Sequence, residues 1–516
     1  MKIHDIKTLG ELKKSGYKSL SVKEELRKNL IEKIRNKENT FPGIIGYEDS
    51  VIPDTERAIL SRHNILFLGL RGQAKTRMAR QMTELLDEYI PVIHGSEIND
   101  DPLHPLSKFA KDQIAQHGDD TTIHWVHRSE RYGEKLATPD VSVADLIGDI
   151  DPIKAANLRL SFADELVIHY GIIPRSNRSI FVINEIPDLQ ARIQVALFNI
   201  LEEGDIQIRG FKLRMPLDIM FVFTANPEDY TNRGSIVTPL KDRIQSQILT
   251  HYPKDIETSL AITEQEAHIQ EDQKKINVSD LVKRLIEQVA FEARSNEYVD
   301  KKSGVSARLT IAAFENAVSS AERRAIIHGE KDTQVWVSDL AGIIPSITGK
   351  IELVYEGEQE GPYQVALNLV DKSIRSQFVQ YFPNPDSLKK RKATGKPSQV
   401  QKEDDNPYKE ITRWFDKGNH VDMFIDTKDT DKIAALYKVE GLYGIVKKYF
   451  PRANEKESAL LMEFVLHGLA AYSLISKKTI EGKIQFKDLI GSMMNLGQFN
   501  AEEEDDDDNF NEDDYK

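Results

Sequence analysis

Short apolar runs alternate with amphipathic stretches over the first half of the chain. Five of the runs are rich in β-branched and aliphatic residues, which favour buried strands; they lie at Asn64–Gly69, Tyr89–His94, Ser179–Asn184, Asp218–Ala225 and Gln245–His251. Helical stretches separate several of them. This alternation is typical of a mostly parallel sheet with helices on its faces. We therefore predict an α/β domain with a parallel five-stranded sheet over residues 41–252.

The pattern changes after residue 252, where apolar residues recur at helical spacing, as at Leu281, Leu285 and Val289. A polar stretch with lysines and prolines then separates two such regions and reads as a linker. The predicted division of the chain is a helical segment at 1–40, the α/β nucleotide-binding domain at 41–252, an all-α lid at 253–348, an extension at 349–383, a linker at 384–406, a C-terminal helical module at 407–499 and an acidic, disordered tail at 500–516.

The charge of the chain is concentrated at its end. The last sixteen residues contain ten of the 83 acidic residues and one of the 69 basic residues, so the preceding 500 residues carry 73 acids and 68 bases. The body is thus only mildly acidic, and the tail is a separate, self-repelling segment. Because no domain shows a basic excess, nucleic acid is not an expected partner.

The chain contains no cysteine. This excludes thiol nucleophiles, thiolate zinc sites, iron–sulfur clusters and disulfides, and it is typical of a reducing compartment. The first residues lack the apolar core of a signal peptide, and the most apolar late stretch, Leu460 to Ile475, is too short to span a bilayer. We therefore expect a cytoplasmic protein without a membrane partner.

The segment from Asn64 to Arg80 carries the most informative pattern in the chain. An apolar run leads into a glycine-containing turn, and a helical pattern follows. This is the strand, turn and helix order of a P-loop, in which backbone N–H groups and a helix N-terminus surround a phosphate chain. Lys75 would then contact the β- and γ-phosphates of ATP, and Thr76 would be a ligand of Mg²⁺. The predicted nucleotide-binding residues are Gly69, Gly72, Gln73, Ala74, Lys75, Thr76 and Arg77.

One residue departs from the P-loop pattern. Ala74 occupies the position of the second glycine. Its methyl group is tolerable if the backbone φ angle stays negative, so the departure weakens the P-loop prediction without excluding it.

A second buried run, Ser179 to Asn184, is followed directly by Glu185. In P-loop ATPases, carboxylates at such a strand end hold Mg²⁺ and orient the attacking water, so Glu185 is the candidate base. Asn184 stands where an aspartate is usual. Its amide oxygen can accept a hydrogen bond from a metal-bound water but brings no charge, so metal affinity and turnover are the properties affected. The predicted metal-site residues are Thr76, Asn184 and Glu185.

Three further polar residues follow in a characteristic order. Asn226 ends the apolar run from Asp218. If this run forms a strand between the one that precedes the P-loop (the P-loop strand) and the one at Ser179–Asn184 (the acidic strand), it would place Asn226 beside the γ-phosphate. Arg243 then ends the segment Thr238–Arg243, and Arg308 begins a helix in the predicted lid.

This order of motifs resembles that of AAA+ ATPases, and more closely that of the magnesium-chelatase ATPase subunit and its MoxR-type relatives. Phe41–Asp49 resembles the opening segment of that family, and Asp145–Asp151 resembles its segment leading into the insert before the acidic strand. Asn226 followed by Pro239–Arg243 resembles its sensor and arginine finger. The resemblance covers residues 41 to 346.

The resemblance implies roles for four catalytic residues. Glu185 would activate water, Asn226 would be sensor 1, Arg243 would be an arginine finger in the neighbouring subunit's site, and Arg308 would be sensor 2. Because the finger acts across an interface, a hexameric or similar ring of this chain is implied. ATP and Mg²⁺ are the implied ligands.

The resemblance also suggests what the ring acts upon. Gly204–Pro216 alternates like a hairpin with Gly210 at its turn, and the family has its pre-sensor hairpin there. Relatives commonly act on a partner with a von Willebrand A domain. The implied function is remodelling or metal-loading of such a partner.

Other functions remain open at this point. Leu201–Gly204 also resembles enhancer-binding transcriptional activators, although the chain lacks their GAFTGA loop. A nucleotide-gated scaffold with little hydrolysis would explain Asn184, and metal insertion into a tetrapyrrole would depend on a partner. His124 and His127 are interpreted as ordinary residues of the insert rather than as a metal site.

Overall fold

The computed structural model describes residues 5–162, 164–208, 214–227, 235–387, 406–480 and 483–489. The chain forms two units, Met1–Tyr252 and Pro253–Lys516. The finer domain boundaries given above remain predictions. The acidic tail and most of the predicted linker lie outside the described residues.

The first unit is built around a parallel sheet. Its strands are β1 (Ile65–Leu68), β2 (Tyr89–Ile93), β3 (Ile123–His127), β4 (Tyr132–Leu136), β5 (Gly148–Ile150), β6 (Ile168–Tyr170), β7 (Ser179–Asn184), β8 (Asp205–Gln207), β9 (Arg214–Pro216), β10 (Ile219–Ala225) and β11 (Ser246–Leu249). Five of them form one sheet in the order β11-β1-β10-β7-β4, and every neighbouring pair is parallel. The predicted parallel five-stranded sheet is confirmed, and β10 lies between the P-loop strand and the acidic strand as expected.

One member of the sheet differs from the sequence interpretation. The apolar run at Tyr89–Ile93 pairs antiparallel with β3, outside the main sheet. The fifth strand of the main sheet is instead β4, which lies at the edge opposite β11 and has the sequence Tyr-Gly-Glu-Lys-Leu. An edge strand can carry charged residues because only one of its sides is paired, so β4 has no apolar run that marks it as a strand.

The two faces of the sheet contact different hydrophobic cores. On β7, Phe181 and Ile183 belong to one core, whereas Ile180 and Val182 belong to the other. β10 alternates in the same way. This alternation follows from the two-residue period of a strand and explains why β7 and β10 are buried over their whole length.

Helices cover the sheet, and two N-terminal ones belong to the same unit. The α-helices of the first unit are Leu9–Lys14, Val22–Asn36, Val51–Leu60, Lys75–Gln81, Lys108–His117, Val143–Leu146, Pro152–Leu158, Ile172–Arg175, Ala191–Ala196, Phe198–Glu202 and Thr238–Arg243. The helix that begins at Val22 is anchored by a buried ion pair, in which Arg131 Nη1 lies 2.6 Å from Glu25 Oε1.

In the described part of the first unit, three antiparallel pairs accompany the main sheet. They are β2 with β3, β5 with β6, and β8 with β9. The last pair forms the two arms of the predicted hairpin, and Gly210 at its turn lies outside the described residues.

The second unit is mainly helical. Its α-helices are Ile256–Glu266, Asp280–Ser295, Arg308–His328, Ile344–Thr348, Tyr355–Glu360, Pro362–Tyr381, Lys409–Asp416, Asp429–Tyr437, Leu442–Tyr449 and Glu455–Ala471. One hydrophobic core extends from Ile276 to Phe486. A small antiparallel sheet is present where the sequence predicts only helices; it consists of β12 (Val421–Phe424), β13 (Ser476–Ile480) and β14 (Lys483–Lys487). None of the helices in the described parts of the chain has the length and apolar character to cross a membrane.

Candidate nucleotide-binding site

The predicted P-loop connects β1 to the helix Lys75–Gln81. The loop is closely packed at Gly69, where a Cβ atom would lie 1.9 Å from Thr250 Oγ1 and 2.2 Å from Gln73 Oε1. Only glycine fits at such a distance. Gly72 has a positive φ of 68°, which glycine adopts without strain. Close packing therefore requires glycine at position 69, and the positive φ favours glycine at position 72.

The condition of a negative φ at Ala74 is not met. Its φ is 55° and its ψ is 15°, so it adopts the left-handed conformation rather than one with negative φ. A Cβ atom in this region approaches the following carbonyl, which costs about 1–2 kcal/mol. The loop thus keeps the backbone shape of the usual glycine even though the residue is alanine.

Neighbouring segments hold the loop in place. Thr250, directly after β11, donates from Oγ1 to Gln73 Oε1 at 2.6 Å. The buried hydroxyl of Tyr47 lies 2.9 Å from the carbonyl oxygen of Gln73 and 3.0 Å from that of His251. Burial raises the pKa of Tyr47, so the hydroxyl stays protonated and donates. The segment that contains Tyr47 was recognised by resemblance, but this contact was not predicted.

Lys75 points back over the loop and is buried. Its Nζ donates to the carbonyl oxygens of Gly69 and Leu70, the latter at 2.9 Å, and to Asn226 Oδ1 at 2.7 Å. Asn226 follows β10, which pairs with β1 in a register that places Leu68 opposite Ala225. The carboxyl ends of these two strands therefore bring the predicted phosphate ligand and the predicted sensor into contact.

Glu185 completes this arrangement from the end of β7. Its Oε2 accepts from Asn226 Nδ2 at 3.0 Å, and its backbone N–H donates to Thr224 Oγ1 at 3.2 Å. Glu185 also has a left-handed backbone, with φ 54° and ψ 50°. Strain of this kind is found where a side chain must be aimed at a site. Asn226 thus connects Lys75 to Glu185.

Two of the three predicted metal-site residues, Thr76 and Asn184, are in direct contact. Asn184 Oδ1 accepts from Thr76 Oγ1 at 3.3 Å and from Thr224 Oγ1 at 3.0 Å. The amide nitrogen of Asn184 donates to Glu134 Oε1 on β4 at 2.6 Å. Hydroxyl, amide and carboxylate oxygens are the ligand types that Mg²⁺ takes in proteins, so the residues present fit this ion. Thr224 and Glu134 were not identified from the sequence.

The remaining predicted residues are Arg77 and Arg243 in the first unit and Arg308 in the second. Arg77 is exposed on the helix after the loop. Arg243 Nε donates to Glu202 Oε2 at 2.8 Å, and its guanidinium lies 5.0 Å from the ring centre of Phe198. Arg308 begins a helix of the second unit, where its backbone N–H donates to Ser306 Oγ at 3.1 Å. The contacts described for Arg243 do not reach Lys75 or Glu185.

Comparisons with known proteins give weak likenesses. No protein-family profile and no curated protein matches the chain. A protein of Cytophaga hutchinsonii, solved as a candidate ATPase, is 18% identical over 70% of this chain and 97% of its own, with a TM-score of 0.28. The complex between subunits BchI and BchD of magnesium chelatase is 18% identical over 62% of this chain and 98% of its own, with a TM-score of 0.32.

A third likeness is to NtrX from Brucella abortus in complex with ATP, at 14% identity over 71% of this chain and 72% of that one, with a TM-score of 0.35. Likenesses of this size say nothing about substrate or partner. The AAA+ type of fold predicted from the motifs is supported by the sheet order and the P-loop themselves.

The left-handed Ala74 leads to a test of the loop. We expect Ala74→Gly to raise the free energy of unfolding by up to about 1 kcal/mol, because glycine adopts this backbone without strain. The change in the thermal unfolding midpoint measures the effect. Ala115→Gly is the matched control, since Ala115 is exposed within the helix Lys108–His117 and its replacement lowers stability by about 1 kcal/mol. A loss of stability in both variants would contradict the strained conformation of Ala74.

Proposed function

We propose that this chain is an ATP hydrolase of the AAA+ type that assembles into a ring and remodels a partner protein. The observation that carries the proposal is the connected set Lys75, Asn226 and Glu185 at the carboxyl ends of three adjacent strands. This edge of a parallel sheet is where α/β proteins bind ligands. A phosphate-binding lysine, a polar sensor and a carboxylate base are the groups that phosphoryl transfer to water requires.

Each residue has a chemical task in this proposal. Loop amides and the N-terminus of the helix Lys75–Gln81 bind the phosphate chain. Lys75 exchanges the carbonyl oxygens of Gly69 and Leu70 for phosphate oxygens and so neutralises charge that develops in the transition state. Glu185 orients the attacking water and accepts its proton at the carboxylate. Mg²⁺, held by Thr76 and Asn184, would supply further positive charge to the phosphates.

Asn226 reports the presence of the γ-phosphate. In this structure the Asn226 amide contacts both Lys75 and Glu185. The Glu185 carboxylate is therefore hydrogen-bonded to Asn226 rather than directed at water. When a phosphate takes over the contact with Lys75, the Asn226 amide is released to bind that phosphate. Glu185 then loses this donor and can orient the attacking water.

The proposal that the chain forms a ring rests on the role of Arg243. Its partner Glu202 lies on the same chain, and phosphoryl transfer gains a large factor from an arginine supplied by a neighbour. The family resemblance extends the proposal to a hexameric or similar ring, to Arg308 as sensor 2, to a partner with a von Willebrand A domain, and to the cytoplasm as the location.

A second candidate function is a nucleotide-gated scaffold with little hydrolysis. The specific observation that favours it is the neutral Asn184 at the position of an acidic residue. The scaffold and the hydrolase share the binding site but differ in turnover.

Replacement of Lys75 tests the binding site. We expect Lys75→Ala to weaken the binding of a fluorescent ATP analogue by at least tenfold, because a charge-assisted contact to phosphate is lost. Titration by fluorescence measures the affinity, and circular dichroism verifies the fold. Lys111→Ala, at an exposed lysine, is the control and should bind normally. Unchanged affinity of Lys75→Ala would remove the P-loop assignment.

Replacement of Arg243 tests the ring. Arg243→Ala should bind ATP normally and lose hydrolysis by about a thousandfold, because the transition-state charge is no longer compensated. Lys241→Ala, at an exposed lysine of the same helix, should keep its activity.

Mixing of subunits shows whether Arg243 acts on a neighbour. Lys75→Ala subunits bind ATP poorly but still carry Arg243, whereas Arg243→Ala subunits bind ATP normally. A mixture of the two inactive variants should therefore regain ATP hydrolysis. A mixture that stays inactive, or full activity of Arg243→Ala alone, would contradict the finger role.

A further inference from the structure

The acidic strand of this protein lacks an acid beside Thr76. Asn184 is neutral, and its Oδ1 already accepts from two hydroxyl groups, Thr76 Oγ1 and Thr224 Oγ1. Of the three predicted metal-site residues only Glu185 is charged, and its Oε2 accepts from Asn226, so Thr76 and Asn184 themselves contribute no formal negative charge. Binding of a hard divalent cation depends strongly on the number of charged ligands near it. The structure therefore raises the question of which group supplies the charge.

The neighbouring strand provides a carboxylate at this place. β4 pairs parallel with β7, and Glu134 lies opposite Val182, two residues before Asn184. Its Oε1 accepts from Asn184 Nδ2 at 2.6 Å. Because the amide nitrogen is engaged by this carboxylate, the amide oxygen of Asn184 is turned towards Thr76. Glu134 thus places a negative charge beside the amide of Asn184 and also fixes the orientation of that amide.

The second oxygen of Glu134 is held as well. Glu134 Oε2 accepts from Arg80 Nη2 at 2.8 Å, and Arg80 lies on the helix that follows the P-loop. The side chain of Glu134 is 28% exposed, whereas that of Arg80 is 66% exposed. An ion pair with so exposed an arginine is weak, and Arg80 contacts the carboxylate oxygen that Asn184 does not use.

We propose that Glu134 replaces the missing acidic residue of the metal site, acting through the amide of Asn184. The inference rests on the proposed function, since it concerns the same nucleotide site. Glu134 is a positioning residue, and its carboxylate provides the negative charge that Asn184 lacks. Groups that orient metal ligands in this way commonly change metal affinity by about 10–100-fold when they are replaced.

The test measures Mg²⁺ dependence of nucleotide binding rather than turnover. A fluorescent ATP analogue is titrated into the full chain in excess EDTA and at a series of Mg²⁺ concentrations. For Glu134→Gln, which keeps the shape of the side chain and removes its charge, the affinity in EDTA should equal that of the wild type. The Mg²⁺ concentration for half-maximal enhancement of binding should rise about tenfold or more.

Moving the carboxylate from one strand to the other distinguishes an effect of the charge from an effect on the structure of the site. The double variant Glu134→Gln/Asn184→Asp again has one carboxylate, now on the strand that usually carries it. In this variant the Mg²⁺ concentration for half-maximal enhancement of binding should return close to the wild-type value. Glu130→Gln removes an exposed carboxylate just before the same strand and should leave the requirement unchanged, which controls for the general field of the protein.

Each result decides the matter. An unchanged Mg²⁺ requirement in Glu134→Gln would overturn the inference, and so would a raised requirement that the double variant fails to restore, because Glu134 would then act only on structure. Failure of the proposed function is distinct from both, since the wild type itself would then bind no nucleotide, with or without Mg²⁺.

Discussion

The buried ammonium group of Lys75 is the constraint on which the first unit depends. A buried charge is costly unless hydrogen bonds satisfy it, and here loop carbonyls and the amide of Asn226 do so. These partners come from the turn after β1 and from the end of β10, so the contact requires the two strands to be neighbours in register. Glu185 on β7 joins through Asn226. The sheet order and the chemistry of the site are thus parts of one arrangement.

Two residues of this site have strained backbones. Ala74 and Glu185 both adopt left-handed backbones, and neither is glycine. The loop and the end of β7 hold these conformations through the surrounding hydrogen bonds, including those from Tyr47 and Thr250 near the P-loop. The protein accepts a local loss of stability in order to place loop amides and a carboxylate where phosphate chemistry needs them.

Much of the fold and the centre of the site could be predicted from the sequence, because apolar runs that end in polar residues mark the carboxyl ends of buried parallel strands. Lys75, Asn184, Glu185 and Asn226 were found in this way. The strand β4 was missed because an edge strand with charged residues has no apolar run, and Glu134 was missed with it. The left-handed φ of Ala74 was not predicted either, since residue type alone does not give a dihedral angle when the surrounding loop imposes one.

The measurement that tests the central claim most directly is ATP hydrolysis by the wild type beside Glu185→Gln, with molecular mass determined by light scattering in both samples. The account predicts that both proteins bind ATP and assemble, and that turnover falls at least about a hundredfold in Glu185→Gln, because the proton acceptor is lost. Glu203→Gln, at an exposed glutamate, should keep wild-type turnover. Equal turnover in the wild type and Glu185→Gln, or binding and assembly of the wild type with no hydrolysis at all, would contradict the account.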